Sequence, residues 1–563
     1  MKAFADLVDN LYYLNSNNAK TELLLEYLVN TPSPDRGWAI GAIAGTLSFE
    51  FFKRRTVKEL IVERVDPALF DLSYDYVGEM SETVAHLWST TLNASTLIKG
   101  SELSLPSLDE VVSQFSTLPK QSIKPYLVSL LNIMTPTQRW ALLKLGTRGL
   151  RIGVSARFMK KILAEYGAKY NPEITVEDIE RVWHGVEPPY TDLLAWIEGK
   201  AGMPDISNKL TFQPVMLAHP IDESTLTGIT EDEWQAEWKF DGIRAQLVSN
   251  HTGTAVFSRT GDNISASFPD LVSTVEAANL EGRFDGELVA LHPSVSAELS
   301  PNTHQTYAHI ASFNQLQQRL NRKKPSKALM SLIPVGLIIY DALQIGDEDL
   351  REQALSVRSA KIAALFNNEH KIAKEKPDTE LNLFPSEQLA FKSSNDLTRL
   401  KERASKLSNG YIEGIMIKRK NAAYVAGRPK GQWFKLKRDP KLIDAVIMYA
   451  QRGHGKRSSF YSDFTFGCWQ NEILLPIGKA YSGFTDEELK KLDTWVRRNT
   501  VGRFGPVKEV NKELVFEIAF DAVAPSNRHK STVALRFPRI HRIRWDKPAN
   551  EADQLTTLID MIE

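Results

Sequence analysis

The sequence predicts a multidomain protein: an all-α region at the N-terminus, an α+β region in the middle and a small β-barrel of the OB type at the C-terminus. Three observations predict it. Over residues 1 to about 200, apolar residues recur at three- and four-residue spacing with few strand-like alternations. From about 206 to 440, short β-rich runs alternate with turns and a few helical stretches. After Asp439-Pro440, about five short strands and one helix fill the rest of the chain, which suits a small Greek-key barrel. A length of 563 residues agrees with three or four domains of roughly 150 residues each.

In chain order, residues 21–28, 57–65, 77–87 and 158–166 carry the helical spacing. Breaks at Thr31-Pro32-Ser33-Pro34, Leu105-Pro106-Ser107 and Glu187-Pro188-Pro189 punctuate them. The last break, with Gly202-Met203-Pro204-Asp205 after it, closes a first domain at 1–205. In the second domain, 206–440, strands are expected at 245–248, 255–258, 287–291, 335–339 and 415–418, and helices at 313–320 and 355–365. Polar stretches at 292–305 and 367–382 read as a loop and an exposed connection. In the third domain, 441–563, strands are expected at 445–450, 464–469, 473–479 and 514–520, with a helix at 486–497. His454-Gly455-Lys456-Arg457 and Gly478-Lys479-Ala480 read as barrel loops.

Apolar residues at 42% and charged residues at 25% give an ordinary globular balance. The single cysteine, Cys468, excludes a disulfide within the chain and any multi-cysteine zinc or iron–sulfur site, and reads as a buried packing residue. The chain reaches Asp6 too early for the apolar core of a signal peptide, and no apolar run approaches the ~18 residues of a membrane span. A soluble cytoplasmic protein with no membrane partner is expected. The net charge of +0 excludes a wholesale basic coat for nucleic acid but leaves local patches. Residues 418–441 and 536–547 are such patches, although either alone also fits a solvated face.

The sharpest motif is Glu237-Trp238-Lys239-Phe240-Asp241-Gly242-Ile243-Arg244, which places an amine beside a turn that enters the strand at Ala245. Alone, Lys-x-Asp-Gly is a common turn. A series follows it: Ser258-Arg259-Thr260-Gly261, Phe284-Asp285-Gly286-Glu287-Leu288, Ile339-Tyr340-Asp341, Tyr411-Ile412-Glu413-Gly414-Ile415-Met416-Ile417-Lys418 and Gln432-Trp433-Phe434-Lys435-Leu436-Lys437. Singly, Glu287 fits an exposed strand position and Tyr340 a core position. The joint order of six motifs makes chance improbable.

This ordered set resembles the covalent nucleotidyltransferase superfamily of DNA ligases, RNA ligases and capping enzymes, and most closely the ATP-dependent DNA ligases. Leu535-Arg536-Phe537-Pro538-Arg539, Arg542 and Arg544-Trp545-Asp546-Lys547 look like the last motif of that family. Gly149-Leu150-Arg151-Ile152-Gly153 is similar to the end of its helical DNA-binding domain. The resemblance is strong from 212 to 547 and looser before 139. It implies a compact form of the bacterial and archaeal type, with a helical DNA-binding domain, a nucleotidyltransferase (adenylation) domain and an OB-fold domain.

It also implies the chemistry, in which ATP is the substrate and magnesium, or manganese, the metal. AMP passes from ATP to Lys239, then to the 5′-phosphate of a nick in duplex DNA, and is released as the 3′-hydroxyl seals the strand. Glu237 would read adenine, and Tyr340 would stack on the base. Arg244, Arg259 and Glu287 would surround the ribose and the nick phosphate. Lys435 and Lys437 would contact the α-phosphate, and Lys418 would assist the adenylate pocket. Arg428 sits one residue further from the tryptophan motif than usual. Arg539, Arg542 and Lys547 would orient the leaving pyrophosphate, and Glu287 and Glu413 would hold the metal. Arg148, Arg151, Arg157, Lys160 and Lys161 are candidate DNA-phosphate contacts, or a helix-end surface unconnected with DNA. A monomer is expected, nucleoid-associated in a bacterium, with no protein partner legible.

These residue types suit the reaction. Phosphoryl transfer needs a nucleophile, charge neutralisation and positioning. Lysine attacks only as the free amine, so its pKa is expected to be lowered by burial or by nearby cations. Four readings compete: a capping guanylyltransferase, separable by GTP preference; an RNA ligase, separable on nicked RNA; an NAD-dependent DNA ligase, whose four-cysteine zinc module one cysteine cannot build; and a non-catalytic nick-binding scaffold.

Overall fold

The computed structural model describes the chain except residues 48–49, 78, 90–104, 207, 294–309, 321, 323, 376–381, 405–410, 453–459, 482, 484, 505–506, 527–528 and 563. His454–Arg457 and most of the expected loop at 292–305 therefore lie outside the described residues. One compact unit is Ile206–Pro440, and a second comprises Met1–Asp205 with Lys441–Ile562.

Residues 1–205 are helical, from Lys2–Tyr13 to Thr191–Ile197. Their core gathers the apolar faces, among them Phe4, Leu11, Leu142, Leu163 and Trp183. Helix starts are written into the sequence. Reciprocal capping boxes, Ser107 with Glu110, Thr135 with Gln138 and Thr175 with Asp178, satisfy backbone N–H groups that the first turn leaves open. No helix among the described residues is long and apolar enough to cross a membrane.

The middle unit carries two sheets. The first joins β1 (His219–Pro220), β2 (Trp234–Phe240), β9 (Gln388–Leu389), β10 (Ile412–Arg419) and β11 (Trp433–Lys437) in the order β1-β11-β10-β2-β9. The second is built on β3 (Ile243–Asn250), β4 (Gly253–Ser258), β5 (Gly282–Ala290), β6 (Val335–Ile345) and β7 (Glu348–Asp349), in the order β4-β3-β5-β6-β7, with β8 (Leu383–Pro385) beside β6. Two expectations need correcting. Lys239 lies on a strand, β2, and not only beside the turn that follows it. The stretch taken as a connection from 367 is helical as far as Glu375, in the helix Leu355–Glu375. Its Glu, Lys and Ala residues favour helix without needing an apolar stripe.

The C-terminal region has more strands than expected. A seven-stranded sheet contains β12 (Lys441–Arg452), β13 (Tyr461–Gln470), β14 (Ile473–Ala480), β15 (Thr500–Phe504), β16 (Val507–Val510), β17 (Val515–Phe520) and β20 (Arg539–Arg544). A hairpin of β18 (Ala522–Pro525) and β19 (Val533–Arg536) and the helix Asp486–Arg498 complete it. Gly478-Lys479-Ala480 ends β14 and is no loop, with Lys479 3.9 Å from Asp463. Cys468 is fully buried in this core, and burial pushes its thiol up to about 12.

Candidate active site

Strand alternation assembles the site. Side chains two apart on a strand share a face, and directly paired residues of adjacent strands share it too. Lys239 of β2 pairs with Gly414 of β10, which pairs with Lys437 of β11. One step along the same face come Glu237, Met416 and Lys435, and beyond them Gln235, Lys418 and Trp433. Three of the motifs quoted from distant parts of the sequence thus meet on adjacent strands of one sheet.

Glu413 joins that face through an irregularity. The register shifts between Ile412 and Gly414, a bulge that re-aims the residue between them. Gly414 has φ +147°, and a Cβ there would sit 2.2 Å from the Leu436 carbonyl oxygen, so only glycine fits. Glu413 Oε2 accepts from Lys239 Nζ at 2.6 Å and lies 3.1 Å from Lys437 Nζ. Burial raises the Glu413 carboxyl, but the Lys239 and Lys437 ammonium groups outweigh it and hold it at about 2. Burial lowers Lys239, but Glu413 and then Glu287 outweigh it and raise it above the ordinary lysine value. The expected lowering is therefore absent at Lys239. It appears at Lys435, depressed by burial and by Lys437, Lys239, Arg428 and Arg259.

At the other end of the face, Glu237 is buried and hydrogen-bonded at both oxygens. Its Oε2 accepts from Lys418 Nζ at 2.8 Å and Ser386 Oγ at 3.2 Å, and its Oε1 from Gln235 Nε2 at 2.8 Å. Lys418 also donates to the Tyr340 carbonyl at 3.2 Å and lies 4.5 Å and 4.6 Å from the ring centres of Tyr340 and Trp433. Glu237, Gln235, Tyr340 and Ser386 line a cavity of about 540 Å³.

The second sheet supplies Arg244 and Glu287, paired across β3 and β5. Arg244 grips the buried Asp285 with Nε at 3.1 Å and Nη2 at 2.5 Å. The Tyr424 hydroxyl donates to the same carboxylate at 2.6 Å and accepts from the Met216 N–H at 3.1 Å. Burial raises the Glu287 carboxyl to about 7, against the lowering pull of Lys239 and Arg244. Gly242 of the lysine motif is needed for closeness, since a Cβ there would meet the Leu288 carbonyl at 2.4 Å and Glu287 Cγ at 2.8 Å. Tyr340 is held by its neighbour Asp341, whose buried carboxylate takes Arg358 Nε at 2.7 Å and Nη2 at 2.9 Å. Gln235, Tyr424 and Ser386 carry no motif that the sequence reading singled out. Asp285 was quoted within one but given no role.

Family models match at two places: the ATP dependent DNA ligase domain over residues 215–437 and the ATP dependent DNA ligase C terminal region over 457–547. A "Probable DNA ligase" of Koribacter versatilis is 33% identical over 476 residues, covering 81% of this chain and 77% of that one. The chain belongs to the ATP-dependent DNA ligase family. A DNA ligase of Methanothrix thermoacetophila is 25% identical over 98% of this ligase and 96% of its own length. The solved structure titled "Pmar-Lig_PreS3" shares the fold, with a TM-score of 0.56 at 16% identity over 96% of this chain and 99% of that one. This ligase seals nicks in DNA by ATP-dependent ligation, and its family uses ATP and a divalent metal.

The residues of the ligase fit such a metal. Among the described residues no cluster of three or more metal-binding side chains occurs. Magnesium needs only one or two carboxylates, with water and phosphate oxygens completing its shell. Glu413 directs both lysines to one oxygen, and Glu287 is a carboxylate that burial leaves short of positive charge.

Elsewhere in the ligase, Arg259 and Arg428 are exposed. In the C-terminal region, Arg539 pairs with Asp521 at 3.1 Å, Arg542 with Glu517 at 3.4 Å and Lys547 with Asp444 at 2.8 Å. In the helical region Arg148, Arg151, Arg157 and Lys161 are exposed. Lys160 departs from expectation: it is 5% exposed, and its ammonium bonds Glu180 at 2.6 Å and lies over the Trp183 ring. A helix face that reads as basic in sequence turned this lysine inward, so it is dropped as a phosphate contact.

Proposed function

We propose that Lys239 is the nucleophile through which this ligase takes AMP from ATP, with the row of residues behind it holding the nucleotide. The observation that carries the reading is the single sheet face on which Lys239, Lys435 and Lys437 cluster at one end and Glu237 with its cavity lies at the other. Phosphates suit the cationic end and a base the other.

In the first step, the neutral Lys239 amine bonds the α-phosphorus of ATP. The bond from that phosphorus to the bridging oxygen breaks, pyrophosphate leaves, and the nitrogen sheds a proton. Lys435 and Lys437 neutralise the α-phosphate, and Arg539, Arg542 and Lys547 orient the pyrophosphate. In the second, a 5′-phosphate oxygen of the nick attacks that phosphorus, the P–N bond breaks, and Lys239 regains a proton. In the third, the 3′-hydroxyl attacks the 5′-phosphorus, loses its proton and displaces AMP, with Arg244 and Arg259 gripping the nick phosphate. Glu413 and Glu287 would hold the magnesium ion, which when bound would supply positive charge to offset that of the phosphates. The Glu413–Lys239 bond keeps the amine protonated, so attack requires that Glu413 relax its hold on Lys239.

The three-way division, 1–205 as helical DNA-binding domain, 206–440 as adenylation domain and 441–563 as OB-fold domain, belongs to the same reading. Exposed Arg148, Arg151, Arg157 and Lys161 contact phosphates of the duplex in it, as a single chain on one nick.

The test is incubation with α-labelled ATP and magnesium, denaturing electrophoresis, and a chase with nicked DNA. Label on the chain that Lys239→Ala abolishes and nicked DNA discharges with sealing is expected. Label that persists in Lys239→Ala would sink the assignment.

A further inference from the structure

We infer that Tyr424 is a positioning residue for the third step, holding the Asp285 carboxylate so that Arg244 is aimed at the nick phosphate. The inference rests on the proposed placement of Arg244 at that phosphate. Arg244 grips Asp285 through Nε and Nη2, and its Nη1 makes no hydrogen bond among the described residues. A guanidinium used in this way has one edge committed to a carboxylate and another left for an oxyanion. The grip alone does not fix where that second edge points. The terminal torsion of an aspartate is broad, so the two side chains can turn together.

Tyr424 removes that freedom. Its hydroxyl donates to Asp285 Oδ2 at 2.6 Å and accepts from the Met216 N–H at 3.1 Å and from Arg244 Nη2 at 3.4 Å. That uses its single donor and both acceptor positions. The tyrosine is itself anchored: it is buried, its ring meets Trp433 of β11 edge-on with centres 6.1 Å apart, and its N–H donates to the Arg351 carbonyl at 2.7 Å. Asp285 lies on β5 of the other sheet, 139 residues away in the chain. A tyrosine that only fills space needs its ring and not a hydroxyl shared among three polar partners. The hydroxyl therefore carries the geometry of the first sheet to an arginine of the second.

The experiment follows two single-turnover rates of the full chain with magnesium: label transfer from α-labelled ATP onto the protein, and sealing of a pre-adenylated nick in duplex DNA. The wild type, Tyr424→Phe, Arg244→Lys and the double variant are compared, with a melting curve for each. Arg244→Lys should slow sealing by about tenfold or more, since an ammonium does not reproduce the planar fork. Tyr424→Phe should slow sealing by about fivefold, as loss of one hydrogen bond does, and adenylation by less than about twofold. In the Arg244→Lys background, Tyr424→Phe should slow sealing no further, because it acts only through that arginine. A full loss in that background overturns the inference and leaves Arg244 at the phosphate. Sealing that Tyr424→Phe slows no more than adenylation makes the tyrosine a packing residue and also overturns it. Sealing unchanged in Arg244→Lys removes that arginine from the nick and overturns the underlying reading. If Tyr424→Phe does not melt cooperatively, Asp285→Asn decides in its place. A loss in sealing at least about fivefold larger than the loss in adenylation then supports the inference, and equal losses overturn it.

Discussion

Glu413 in the middle unit and Asp444 in the C-terminal region each hold two cations on one oxygen, yet their surroundings differ. Glu413 binds Lys239 and Lys437 on a sheet face where Glu287 lies near and Lys435 is depressed by burial and by these two lysines with Arg428 and Arg259. Asp444 binds Arg544 and Lys547, while Arg539 and Arg542 each pair with a separate acid on neighbouring strand positions. The first cluster is crowded, with Glu413 and Lys239 half-buried, and its groups shift one another's protonation. Beside the Asp444 group, the second region spreads its other cations into outlying pairs, with Arg539 and Arg542 half exposed at 42% and 59%. Exposed pairs contribute little stability and exchange partners readily. On the proposed reading, the first arrangement suits a fixed reaction centre and the second a surface that takes up and releases pyrophosphate.

The largest expected break in this contrast is Glu413→Gln. Adenylation should fall by about a hundredfold or more, as for loss of a positioned charge at a reacting centre. Because Glu413 raises Lys239, the acid limb of the adenylation pH profile should move to lower pH. A limb that moved upward would contradict the pairing.

Arg539→Ala and Arg542→Ala should each slow adenylation by about tenfold or more, as loss of a charged phosphate clamp does. Sealing of a pre-adenylated nick should survive, and the melting temperature should stay put. A large loss of stability would place these arginines with the crowded cluster and erase the distinction.

In the helical region, Arg151→Ala should lower the slope of log affinity for nicked duplex against log salt by about one. Lys160→Ala should leave that slope alone and destabilise the fold, because it strands Glu180. The reverse pattern would reinstate Lys160 as a DNA contact.

The smallest effect is thermal. The Glu287 carboxyl, raised to about 7 in the folded chain, lies above its unfolded value of roughly 4.3. The folded state then binds the extra proton between those values, so this contribution is full below pH ~4 and lost as pH rises through 7. Glu287→Gln should raise the melting temperature by a few degrees, more at pH 8 than at pH 5.

Much of this was legible from residues alone. The helical and β-rich regions follow the 3.6- and 2-residue periods of their apolar positions, and the capping boxes mark helix starts. The helix Phe313–Leu320 matches its expected span. The motif order named the family because each motif is a local string. Lys239 and Glu413 are 174 residues apart, and no local signal says that they touch. Lys160 failed for the complementary reason: sequence shows charge but not which side of a helix finds Glu180.

What the sequence determined by itself was therefore the inventory: three compositional regions, a lysine beside Asp-Gly, and the acids and bases of the six motifs. Tertiary structure decided their states. The bulge at Gly414 turned Glu413 onto Lys239 and raised an amine expected to be lowered. The packing of β2 against β10 enclosed Lys418 with Glu237, away from solvent. Protonation and polarity depend on distance and burial, which exist only once strands remote in the chain have been paired.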